Sequence, residues 1–223
     1  MHIPDGYLSP STSVVMYAAM VPVWGMAVKK VKESLKSKQV PLLALAAAFS
    51  FVIMMFNVPI PGGTTGHAVG GTLAAIVLGP WAACIAVSIA LIIQALIFGD
   101  GGIWAIGANC FNMAFVLPFL GYAVYRAISA GGRNRVLGSV IGSYVGLNAA
   151  AFCAAVEFGI QPALFHTAAG APLYCPYGLA QAIPAMMFAH LTVAGPIEAV
   201  ITGIVVYYLQ RSAEESLFYN ATA

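Results

Sequence analysis

Apolar residues run along this chain in long, barely interrupted stretches, at 13–28, 41–59, 68–98, 103–127, 136–158 and 179–209. A helix needs about 20 apolar residues to cross the hydrocarbon core of a bilayer, with a range of roughly 17–25. Basic residues punctuate the stretches: Lys29, Lys30, Lys32, Lys36 and Lys38 follow the first, and Arg126, Arg133 and Arg135 cluster where the fourth ends and the fifth begins. Stretch 68–98 is too long for one span and is broken by Gly79-Pro80, where proline removes a backbone donor and Gly-Pro signals a turn. Charge requires the same division. Lysine and arginine concentrate in cytoplasmic loops, so an even number of crossings must separate the two basic clusters, and only a divided 68–98 supplies it. The pattern predicts an all-α integral membrane protein, one transmembrane domain over 1–223, with seven helical elements, the N-terminus outside and the C-terminus cytoplasmic. The third element is then short, covering roughly 18 Å at about 1.5 Å per residue, and has to begin deep within the protein, unless it is a re-entrant segment. Gly138, Gly142 and Gly146, four apart on the sixth element, mark a close helix contact.

Composition agrees. Hydrophobic residues make up 61% of the 223 and charged residues only 7%, against about 25% charged in soluble domains. Too few charges remain to cover a water-soluble surface, so lipid is the solvent. A net charge of +2 is too small to argue for nucleic acid. The cysteines form no C-x-x-C pair, which removes zinc-ribbon and thioredoxin readings. Cys84, Cys110 and Cys153 read as small buried hydrophobes, and Cys175, in the Pro-rich loop 159–178, as an exposed thiol. No basic segment precedes the first apolar run, so no cleaved signal peptide is expected and the first residues should persist.

Those first residues carry the candidate chemistry. In Met1-His2-Ile3-Pro4-Asp5-Gly6, a histidine in second place lets its Nδ1 close a six-membered chelate with its own amide nitrogen. The terminal amine closes a five-membered ring with the same amide. The three nitrogens are coplanar, and a fourth completes a square. All-nitrogen square-planar coordination suits Ni(II) or Cu(II) rather than tetrahedral zinc. Every ligand must shed its proton, so affinity should fall in acid. Ile3-Pro4-Asp5-Gly6 reads as a turn that folds the terminus back. The fourth ligand is expected to be His67, in Pro61-Gly62-Gly63-Thr64-Thr65-Gly66-His67, because a polar loop at membrane depth is tolerated only inside protein or around a cavity. The metal set is therefore Met1, His2 and His67, on segments 1–10 and 60–67.

Other polar groups in the apolar stretches are weaker candidates. Glu157 reads as a residue near the membrane surface, Glu198 as one for helix packing or coupling, His190 as a satisfied core histidine and His166 as a loop residue. Gln94, Asn109, Asn112 and Asn148 could support the ligating imidazoles. Met54, Met55, Met186 and Met187 read as packing or lipid-facing residues.

Met1-His2-Ile3-Pro4-Asp5-Gly6-Tyr7-Leu8, followed by Pro61-Gly62-Gly63-Thr64-Thr65-Gly66-His67, resembles the NikM/CbiM family over the whole chain. These are substrate-capture (S) components of energy-coupling-factor transporters for nickel and cobalt. The resemblance implies the same metal set and Ni(II) as the transported substrate, with Co(II) the alternative; Pro4-Asp5 is closer to the nickel branch. It also implies a multi-pass protein of a prokaryotic inner membrane. Its partners would be a coupling membrane protein of NikQ/CbiQ type, cytoplasmic ATPases of NikO/CbiO type and a small accessory membrane protein. The chain itself has no G-x-x-x-x-G-K-[ST] phosphate loop. A membrane metalloenzyme is the competing class, but H-E-x-x-H and helically spaced carboxylate pairs are missing. A stand-alone carrier would transport without ATPases.

Overall fold

Ser9 separates the N-terminal segment from the first helix. Its hydroxyl accepts the Thr12 N–H at 3.1 Å, and Pro10 enters the first turn, where its missing N–H costs nothing. The computed structural model describes residues 1–35, 39–60, 64–212 and 218–219. Lys36, Lys38 and Pro61-Gly62-Gly63, used in the sequence reading, lie outside the described residues.

Helix α1 (Pro10–Ser34) is followed by α2 (Val40–Met54) and a small antiparallel ladder, β1 (Val58–Ile60) with β2 (Thr64–Gly66), in which Val58 faces Gly66. Next come α3 (Gly71–Leu78), α4 (Pro80–Phe98), α5 (Ile106–Ile128), α6 (Arg135–Leu164) and α7 (Leu179–Arg211). Helices α1, α4, α5, α6 and α7 are long and apolar enough to cross a bilayer, and α2 is a shorter apolar helix. Large apolar side chains such as Val15, Val21, Leu96, Ile97 and Val200 point outward, where only lipid stabilises them. This is an all-α, multi-pass membrane protein.

The division of stretch 68–98 is present. Gly79 adopts φ +87°, which only glycine takes without strain. It ends α3, and Pro80 begins α4. This corner sits with Lys30 and Tyr219 around a cavity of about 220 Å³, on the face where Arg135 stacks 4.6 Å above the Phe218 ring. Met1 and the loop after α4 lie at the other end. The short element starts later than expected, at Gly71 rather than 68, because the main chain of 67–70 is engaged elsewhere. Its eight residues span about 12 Å, and residues 66–76 are all buried.

The glycine row on α6 packs against α5. A Cβ at Gly138, Gly142 or Gly146 would meet the carbonyl oxygens of Tyr125, Gly121 and Leu117 respectively, the middle one at 2.5 Å. Gly142→Val must therefore push two backbones apart. The expected cost is about 1–3 kcal/mol, measurable as a lower thermal midpoint in detergent. An unchanged midpoint would show that the α5–α6 seam is looser than described.

Candidate metal centre

The N-terminal segment is held like an extra strand. The Asn109 side chain accepts the Ile3 N–H at 2.8 Å and donates to the Ile3 carbonyl at 3.2 Å, and Gly102 N–H donates to that same carbonyl at 2.8 Å. Asp5 accepts the N–H groups of Ile103 and Trp104. Tyr7 N–H closes a turn on Pro4 at 3.4 Å, one residue beyond the Ile3–Gly6 turn expected. Ser9 N–H donates to Gln161. Threonines of β2 meet the end of the chain: Thr65 Oγ1 accepts from the Met1 amine at 3.3 Å and Thr64 Oγ1 donates to the His2 carbonyl at 3.1 Å.

The terminus is thereby carried beside His67. The His2 and His67 rings stack with centroids 4.6 Å apart. Met1, His2 and His67 are 0%, 3% and 2% exposed.

Hydrogen-bond partners set the imidazole tautomers. His67 Nδ1 lies 3.0 Å from the Ala68 carbonyl, which can only accept. Nδ1 thus carries the proton and Nε2, buried without a partner, presents a bare lone pair. At His2, Gln94 decides. Its Nε2 donates to the Phe51 carbonyl at 3.3 Å, which turns its Oε1 toward His2 Nε2 at 3.2 Å. The proton is then on His2 Nε2, and Nδ1 faces Asp100 Oδ1 across 3.4 Å. A buried ring nitrogen with a bare lone pair, facing the oxygen of a partly exposed carboxylate, calls for a cation between or beside them.

Protonation is tuned the same way. The Met1 amine is lowered to about 4 by burial, against the opposing pull of Asp100. His2 is lowered to about 4 by burial and then by the amine, opposed by Asp100 and the Gln94 contact. His67 lies well below its ordinary value through burial, the amine and His2, with a smaller contribution from His190. All three are neutral at pH 7, as ligands must be. The tucked terminus binds fewer protons than a withdrawn one, so its stability rises with pH. It is complete above the ordinary amine value of 8.0 and is lost progressively toward about 4. In metal-free protein, hydrogen exchange at Ile3, corrected for intrinsic rate, should be faster at about pH 5 than at about pH 8. Equal protection would contradict the burial of a neutral amine.

Among the described residues, no three His, Cys, Asp or Glu side chains form a metal-binding group. A centre here needs main-chain nitrogens, which the terminal amine and the His2 amide supply.

The remaining sequence candidates divide. Gln94 bonds the His2 imidazole, whereas Asn109 holds the Ile3 main chain and touches neither ring. Asn112 instead bonds Glu157 at 2.8 Å, and Asn148 bonds the Tyr144 carbonyl. Glu157 is buried rather than at the surface, because Asn112 satisfies it. His166 stays in an exposed loop. His190 is satisfied at one ring nitrogen only: Nδ1 meets the Met186 carbonyl at 2.7 Å while Nε2 is buried without a partner. Cys175 is buried, not an exposed thiol, since its N–H binds the Tyr7 carbonyl and draws the loop onto the N-terminal segment. Asp100 joins the site without any motif pointing to it. In the sequence it is one carboxylate in the loop between two spans, which only folding connects to residue 2.

Known proteins share this architecture. A family model described as cobalt uptake substrate-specific transmembrane region matches residues 2–216. The fused nickel transport protein NikMN of Rhodobacter capsulatus is 58% identical over 97% of this chain, which spans 64% of that relative's length. The cobalt transport protein CbiM of Acetohalobium arabaticum is 40% identical over 57% of this chain and 52% of its own. The crystal structure of a truncated transition metal transporter superposes with a TM-score of 0.93 at 66% identity, covering 95% of this chain and 99% of that one. With the match running through both the terminal segment and the His67 loop, the chain belongs to the family of cobalt uptake substrate-specific transmembrane regions.

Proposed function

We propose that this chain captures Ni(II) as the substrate-specific component of an ATP-driven importer of the energy-coupling-factor type. The ion is held square-planar by the Met1 amine, the His2 amide, His2 Nδ1 and His67 Nε2. The chain is a transport component and not an enzyme. The single observation behind the reading is the convergence of a buried, neutral amine with two imidazoles whose bare nitrogens, His2 Nδ1 and His67 Nε2, have no hydrogen-bond partner. Loss of the amide proton leaves a net charge of +1 on the complex, and the Asp100 carboxylate beside His2 offsets it.

Ni(II) is favoured over Co(II) because a planar nitrogen square with an ionised amide suits nickel, and nickel lies above cobalt in intrinsic affinity. Co(II) is the second reading, supported by the family description and the CbiM relative. The N-terminal face is outside and the face with Lys30 and Arg135 is cytoplasmic, on the positive-inside rule, in a prokaryotic inner membrane. ATP hydrolysis belongs to partners of NikO/CbiO type, coupled through a membrane protein of NikQ/CbiQ type and accompanied by a small accessory protein.

Purified protein beginning at Met1, offered equal Ni(II) and Co(II), should retain one nickel per chain with the absorption of a square-planar centre. Retention of cobalt instead would move the assignment to the second reading. Retention of neither metal would overturn both.

A further inference from the structure

We propose that Glu198 is the positioning residue for the fourth ligand: its buried carboxylate grips the main chain just after His67 and ties that imidazole to helix α7. The inference rests on the metal site proposed above. Glu198 is 1% exposed. Its Oε2 accepts the Val69 N–H at 2.7 Å, and both oxygens accept the Gly70 N–H at 2.9 and 3.0 Å. These donors stand immediately ahead of α3, whose positive end favours an anion. A carboxylate so deep in an apolar bundle is costly, and here main-chain N–H groups stabilise it. The mutual constraint leaves residues 67–70 no freedom to drift.

The ligand set as a whole draws on several helices and on β2. Three nitrogens, those of Met1 and His2, are held by Gln94 on α4, by Thr64 and Thr65 of β2 and, through Ile3 and Ser9, by Asn109 on α5 and Gln161 on α6. The fourth, on His67, is held by α7. That helix touches the loop a second time through His190, whose Cε1 would lie 3.7 Å from a Cβ on Gly66. Between the two grips, α7 contains a π-type turn, His190–Ala194, followed by Gly195-Pro196. Such turns interrupt regular helix hydrogen bonding and commonly sit at functional sites. The far end of α3 is also held, at the opposite face, where Tyr219 N–H donates to the Ile76 carbonyl at 3.0 Å. The His67 loop is therefore tied on one side to α7, through Glu198 on Val69 and Gly70, and on the other to the terminal segment, through Thr64 and Thr65.

The test is a double-mutant cycle on nickel affinity in full-length protein beginning at Met1, using Ni(II) alone as probe, for the parent, Glu198→Gln, His67→Ala and the double variant. Glu198→Gln should weaken nickel binding by about 10–100-fold, the usual cost of losing a residue that orients a ligand. In the His67→Ala background the same change should alter affinity by no more than about twofold, since nothing is left for it to position. An equal penalty in both backgrounds would assign Glu198 a general packing role and overturn the inference. Full nickel affinity in His67→Ala would overturn the metal site itself, a separate result. Should Glu198→Gln not fold, Glu198→Asp keeps the charge but withdraws it from the two N–H groups. The same cycle then applies: a penalty confined to the His67 background supports the inference, and an equal penalty in both overturns it.

Discussion

Two glycines placed ahead of Met1 will abolish nickel retention while the protein stays folded. The extension turns the Met1 nitrogen into an amide and moves the amine away from its chelate ring. It also has nowhere to go. Met1 is fully buried, with its nitrogen against Thr65, so added residues must drive the terminus out of the pocket and take His2 away from the His67 ring. Two residues make a cleaner test than one. A single added residue would put the histidine third, where amine, two amides and imidazole can close a four-nitrogen square without His67. Such a variant could hold nickel on a withdrawn terminus, and its binding would then be indifferent to His67→Ala. Metal analysis and the visible spectrum read both cases. Normal nickel content with two extra glycines would exclude the amine as a ligand.

His2→Ala should be the most damaging single substitution and His67→Ala the next. Each should exceed the roughly 10–100-fold cost typical of removing a merely supporting residue. The two differ in kind. His2→Ala removes an imidazole and the chelate ring it closes, and strands Gln94 and Asp100, which converge on that ring. His67→Ala leaves the planar three-nitrogen unit intact with one corner open, so added imidazole should partly restore the square-planar spectrum. No small molecule should restore His2→Ala, because the missing nitrogen was part of a ring. Affinity is read by competition with a metal indicator, and folding by the thermal midpoint. Imidazole rescue of His2→Ala but not of His67→Ala would reverse the roles assigned here.

Much of the fold is legible from the chain alone, and particular residues show why. Gly79-Pro80 announces its corner, because backbone sterics at such a pair are local and owe nothing to the rest of the fold. The row Gly138, Gly142 and Gly146 announces a close contact, though its partner, the carbonyl row Leu117, Gly121 and Tyr125, cannot be named from spacing. Asn109 and Gln94 are two names among four equivalent amides. The distinction between them and Asn112 or Asn148 is one of direction in space, which spacing along a helix does not reveal when several helices surround one point. Glu198 stands out as a carboxylate in an apolar run, yet its role depends on main-chain N–H groups more than a hundred residues away. His190 is the buried core histidine expected but with one ring nitrogen unpaired, and Cys175 is buried instead of exposed, for the same reason: whether a ring nitrogen or a thiol meets water, a carbonyl or nothing depends on groups that return from elsewhere.

Read alone, the chain specifies the solvent, the seven helical elements and the donor atoms that the terminus can offer. Hydropathy, turn stereochemistry and chelate ring size are properties of neighbouring residues. Folding brings the His2 ring against His67, selects the proton each imidazole keeps and sets one α7 carboxylate on the loop. Those follow from groups far apart in the chain satisfying one another in a place where water cannot.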